Sequence, residues 1–97
     1  MPLFGGFAAD AIGLRLSEAD VRAVVADVDY LPALKGALDR FDIDPFVVVA
    51  GNNRQAAGGL PWLWEEFERI DSDGPIVATK LEDIATILFT SGTTGKP

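Results

Sequence analysis

Seven consecutive residues, Thr90-Ser91-Gly92-Thr93-Thr94-Gly95-Lys96, hold four hydroxyl groups, two glycines and one lysine. That set suits a polyphosphate. Glycines let the backbone turn sharply and bring N–H groups close to anionic oxygens, Ser and Thr hydroxyls donate further hydrogen bonds, and a lysine neutralises charge. The same composition also describes a plain hydroxyl-rich turn at a domain edge, and composition alone leaves both readings open. The Walker A loop is the nearest general motif. It requires four residues between its first Gly and a Gly-Lys pair, then a Ser or Thr for magnesium. Here Thr93 and Thr94 alone separate Gly92 from Gly95-Lys96, and Pro97 stands at the magnesium position, which argues against a P-loop ATPase.

Composition narrows the remaining chemistry. The 97 residues include no Cys and no His. Ser-His and Cys-His nucleophile pairs, Cys/His zinc sites and disulfides are therefore excluded, and acid, base or metal work falls to Asp, Glu or Lys. With 8 Lys plus Arg against 15 Asp plus Glu, the formal charge is −7, and the cations are scattered. This argues against an electrostatic nucleic-acid binder, whereas a local nest of N–H groups with one cation can still take a phosphate ligand. The longest unbroken apolar run, Phe46 to Ala50, is far short of the ~20 residues of a membrane span. The first cation, Arg15, follows Asp10, unlike a secretory signal. The expectation is a soluble, cytoplasmic chain without a membrane span.

Apolar spacing alternates between helical and strand-like modes, so the expected class is α/β. Phe4, Phe7, Ala8, Ala11, Ile12 and Leu16 form one face of a helix from about Phe7 to Ala19, in which Gly13 is a weak point worth about 1 kcal/mol against Ala. Val21 to Ala26 reads as a buried strand. Asp29 is expected to cap a second helix with Pro32 in its first turn and Leu31, Leu34, Leu38 and Phe41 as its buried stripe. Asp42-Ile43-Asp44-Pro45 stops that helix, and Phe46 to Ala50 has the β-branched density of a central parallel strand. Gly51 to Pro61 is a loop. A third helix follows with Leu60, Leu63, Trp64, Phe67 and Ile70 on one face, then a turn at Asp71 to Pro75 and a last strand at Ile84 to Thr90.

The string Leu88-Phe89-Thr90-Ser91-Gly92-Thr93-Thr94-Gly95-Lys96-Pro97 resembles the phosphate-binding signature of the AMP-forming adenylating superfamily, which includes acyl-CoA synthetases, luciferases and peptide-synthetase adenylation domains. The approach Leu81 to Ile87 is similar to the family's usual lead-in. Upstream, Pro2-Leu3-Phe4, Ala11-Ile12, Arg15-Leu16 and Val24 to Asp27 resemble a helix and strand of acetyl- and propionyl-type acyl-CoA synthetases. The likeness runs from Pro2 to Pro97 and corresponds to an internal stretch of the family's large N-terminal domain. It implies that residues 1–97 are a fragment of the AMP-binding domain, a partial three-layer α/β sheet with alternating helices and mostly parallel strands, carrying its phosphate loop at 88–97.

Such enzymes join AMP from ATP to a carboxylic acid, release pyrophosphate, and commonly transfer the acyl group to coenzyme A. The resemblance implies ATP and Mg2+ as cofactors, and a small carboxylic acid and CoA as partners of the full-length enzyme. Thr90, Ser91, Gly92, Thr93, Thr94, Gly95 and Lys96 would cradle the β- and γ-phosphates, with Thr93 and Thr94 in direct contact, Lys96 neutralising charge, and Gly92 and Gly95 shaping the loop. No catalytic set is complete in this stretch and no metal ligand is assigned, so the isolated chain is expected to be inactive. A non-catalytic nucleotide- or phosphate-binding module and a truncated remnant without ligand are the alternatives. Trp62 and Trp64 could form a stacking platform, but Leu63, Trp64 and Phe67 at helical spacing read as core. Glu65, Glu66 and Glu68 read as a solvated helix face, and Asp71 and Asp73 as turn residues rather than calcium ligands.

Overall fold

A computed structural model describes residues 1–71 and 73–90. Helix α1 spans Ala9–Glu18, strand β1 Ala23–Asp27, helix α2 Leu31–Phe41, strand β2 Phe46–Ala50 and helix α3 Leu63–Arg69. One-turn 3-10 helices occupy Val28–Tyr30 and Arg54–Ala57. The two strands are parallel, with Ala23 opposite Phe46 and Asp27 opposite Ala50, and α2 is the crossover between them. This βαβ unit is the α/β arrangement expected from the alternating periodicity.

Both long helices stop by the same device. After α1, Asp20 takes φ 48° while its N–H bonds Ser17 O and that of Val21 bonds Leu16 O at 3.1 Å. After α2, Asp42 takes φ 51° and the N–H of Ile43 bonds Leu38 O at 3.2 Å. Asp tolerates the left-handed region better than most residues, and these bonds satisfy the last helical carbonyls. The start of α2 departs from expectation. Asp29 does not cap it; the Asp27 carboxylate instead accepts from the Asp29 N–H at 2.9 Å and closes the 3-10 turn. Pro32 does sit in the first turn of α2.

The core joins Ile12 and Leu16 of α1 to Leu31, Leu34 and Ala37 of α2, and these to Val47 and Val49 of β2, with Ala57 and Trp62 closing the far side. Val49 is fully buried because β2 has partners on both edges, β1 on one and the Pro61 carbonyl on the other, where the Val49 N–H donates at 2.8 Å. Among the described residues, strand β1 has one partner and one covered face. Val24 and Ala26 are half-buried but Val25 is 66% exposed, so the expectation of a fully buried strand is corrected. The run Ile84 to Thr90 forms no ladder with either strand. Its composition favours extended backbone, but a strand exists only where a neighbouring edge accepts its hydrogen bonds.

Gly13 reverses its sequence-based meaning. An added Cβ would overlap Cδ2, Cε2 and Cγ of Phe41, so the glycine lets α1 approach α2. Ala would gain about 1 kcal/mol of helix propensity but would overpack this contact, at a cost of about 1–3 kcal/mol. Gly13→Ala is therefore expected to lower the urea midpoint, and a raised midpoint would show that the Phe41 ring yields freely.

Helix α3 has two short turns and buries less than its pattern suggested. Trp62, just before it, is buried, whereas Trp64 and Phe67 are 59% and 58% exposed and lie against each other at 5.9 Å between ring centroids. The expected core role of Trp64, Phe67 and Ile70 is overturned, because no described element packs over that face. Among the described residues no helix is long and apolar enough to cross a membrane.

Candidate nucleotide-phosphate site

Of the residues expected to cradle phosphate, Thr90 is described and exposed, while Ser91, Gly92, Thr93, Thr94, Gly95 and Lys96 lie outside the described residues. The path to the loop is visible. It begins at a turn in which the Asp83 carboxylate accepts from the Lys80 N–H at 2.8 Å and the Asp83 N–H bonds Lys80 O at 3.1 Å. From there the chain runs without regular secondary structure to Thr90, and among the described residues between 73 and 90 only Ile87 and Phe89 are even half-buried. Phe89 lies beside Arg15 of α1, the guanidinium carbon 5.5 Å from its ring centroid and 4.3 Å from that of Phe7. Pro2, Leu3, Phe4 and Leu88 complete the walls of this cleft.

Sequence reasoning gave Arg15 no part in the site. A signal was present, since Arg15 falls in the apolar stripe of Ala11, Ile12 and Leu16, where a cation needs a reason. The link to Phe89 was not readable, because it depends on where the irregular run to Thr90 lies against α1.

On the solvent-facing acidic side of α3, Glu65 and Glu66 are paired while Glu68 is exposed. Arg54 grips Glu65 through Nε and Nη2, the latter at 2.6 Å from Oε2, and Arg69 reaches Glu66 at 3.0 Å. The hydrogen bond from Arg54 holds the Glu65 carboxyl below the usual range; burial opposes this, and the charges of Arg54 and Arg69 add to it. A depressed folded pKa gives stability that is present above the ordinary carboxylate pKa and is lost as pH falls through the folded value. Glu65→Gln is thus expected to lower the urea midpoint slightly at about pH 7 and not at about pH 2, the small size following from exposure. An equal loss at both would show that packing, not charge, matters there.

Asp71 accepts from the Asp73 N–H at 3.1 Å, the behaviour of a turn residue, although Ser72 between them lies outside the described residues. Among the described residues no group of three or more His, Cys, Asp or Glu is placed to hold a metal ion.

The family model described as AMP-binding enzyme matches residues 1–97. The chain belongs to the AMP-binding enzyme family. Within the family it is 33% identical to acetyl-coenzyme A synthetase 2 of Pseudomonas aeruginosa over 98% of the chain and 17% of that relative. It is 35% identical to acetyl-coenzyme A synthetase of Streptomyces avermitilis, and 30% identical to that of Rhizobium rhizogenes, with the same coverage of 98% and 17%. The chain thus spans 17% of the length of these curated relatives. No solved structure matches it. In this member of the AMP-binding family, the described elements leading to residues 91–97 are the βαβ unit and the run to Thr90.

Proposed function

We propose that this chain supplies the phosphate cradle of an ATP-dependent, AMP-forming ligase that activates a carboxylic acid and passes the acyl group to coenzyme A. The supporting observation is the run Thr90 to Lys96 within a chain matched along its length by the AMP-binding family and by proteins named acetyl-coenzyme A synthetase. In the first half-reaction a carboxylate oxygen attacks the α-phosphorus of ATP, a P–O bond forms, and the bond to pyrophosphate breaks. Charge accumulates on the leaving pyrophosphate. The Thr93 and Thr94 hydroxyls, the backbone N–H groups of Gly92 to Gly95 and the Lys96 ammonium stabilise that charge more in the transition state than in bound ATP, which is what raises the rate. In the second half-reaction a thiol attacks the acyl carbon and AMP departs.

Mg2+ accompanies ATP in such chemistry, but the described residues do not fit a metal cage, and the contribution of this chain is donors and one cation. The names of the relatives make acetate the first acid to try. The test is exchange of labelled pyrophosphate into ATP by the complete translation product of the reading frame, with and without acetate, propionate and longer acids. Acid-dependent exchange supports the proposal. ATP binding without exchange would instead indicate a non-catalytic phosphate-binding module. The isolated chain is expected to show no exchange, because the described residues and the loop contain no complete catalytic set.

A further inference from the structure

We propose that Arg15 is a positioning residue for the phosphate loop, its guanidinium packed between Phe7 and Phe89 so that α1 fixes the backbone from which Thr90 to Lys96 departs. The inference rests on reading that loop as a polyphosphate cradle. Arg15 is 7% exposed. Among the described residues its one hydrogen bond is from Nη1 to Ala11 O, a turn earlier in its own helix, at 2.9 Å, and its buried Nε has no acceptor among them. The ion pairs among the described residues use Arg22, Arg40, Arg54 and Arg69, all on the surface, and none uses Arg15.

A guanidinium withdrawn from water without a carboxylate is costly, and proteins keep one where something else receives the charge. Here the receivers are two ring faces, whose quadrupoles attract a cation. Phe7 belongs to the run into α1 and is itself braced by Phe4 in an edge contact at 5.7 Å. Phe89 belongs to the run into the loop, where Ile76, Val77, Leu81, Ile84 and Leu88 are exposed and supply little anchorage. The Arg15–Phe89 contact therefore sets where this run ends. A loop that leaves a fixed point loses less freedom on binding ATP than one leaving a free segment.

Three measurements on the complete translation product test this. The Arg15 Nε–H proton is expected upfield in the 15N-correlated spectrum through the ring currents of Phe7 and Phe89, and Phe89→Leu should move it downfield. Arg15→Gln should speed amide exchange of residues 88–96 about tenfold, with Arg15→Lys restoring part of the protection. In pyrophosphate exchange, Arg15→Gln should raise the KM for ATP about tenfold and leave the KM for acid within about twofold. An Arg15 resonance indifferent to Phe89→Leu, unchanged exchange of 88–96, or equal rises in both KM values would each overturn the proposal. If Arg15→Gln does not fold, Phe89→Leu carries the exchange and KM measurements, since Phe89 lies outside the buried core. If the first two results hold but the wild type shows neither ATP binding nor pyrophosphate exchange, the clamp stands and the cradle reading falls.

Discussion

Lys96→Ala is expected to slow acid-dependent pyrophosphate exchange about 10²-fold, the effect of removing one well-placed donor from a developing anion. By the transition-state relation this is about 2.7 kcal/mol. The lysine would act on charge that appears as pyrophosphate leaves, so the loss should fall mainly on kcat rather than on binding of the acid. Lys96→Arg should recover part of the rate, since it keeps the charge but presents a planar fork in place of a compact ammonium. Thr94→Val, which removes one hydroxyl and keeps the shape, should fall between wild type and Lys96→Ala. Exchange by Lys96→Ala within about twofold of wild type would mean that phosphate is held elsewhere, and the assignment of Thr90 to Lys96 would fail.

Leu34→Ala should cost about 2–5 kcal/mol, through lost burial and the cavity left behind. Leu34 is 4% exposed and belongs to the cluster that joins α1, α2 and β2. Against a stability of about 5–15 kcal/mol for a domain of ordinary size, that loss is large enough to populate the unfolded state near the growth temperature. Val25→Ala supplies the contrast, because Val25 points away from the core and its truncation should change the urea midpoint little. If Val25→Ala cost as much as Leu34→Ala, the exposed face of β1 would be covered in solution and the described arrangement of the strands would be wrong.

Much of this was legible in the residues. Helix α1 was expected from the spacing of Ala11, Ile12 and Leu16, and it runs over Ala9–Glu18, inside the range read from the sequence. Strand β2 coincides with the expected Phe46 to Ala50, because three consecutive valines favour a pleated strand covered on both faces. The Asp42 stop and the place of Pro32 follow from φ preferences, which are local properties. Membership of the AMP-binding family was legible in the run Leu88 to Pro97, since a signature of adjacent residues can be read without the fold.

Only the tertiary structure decided the rest, in each case because the cause lies far away in sequence. Gly13 scores as a helix defect until Phe41 is seen filling the space where its side chain would be. Trp62 and Trp64 are two positions apart with the same chemistry, yet one is buried and the other exposed, since burial depends on which face of a short helix finds a partner. Ile84 to Thr90 has strand composition and no strand, because hydrogen bonds to a neighbouring edge cannot be supplied by the segment itself. Arg15 is one cation in an apolar stripe until the fold brings Phe89 to its guanidinium. The sequence by itself determined local backbone preference and the donors and the cation that stand at residues 90–96. Which surfaces meet, and therefore that Phe89 comes to lie beside Arg15, was decided by packing between segments that are distant along the chain.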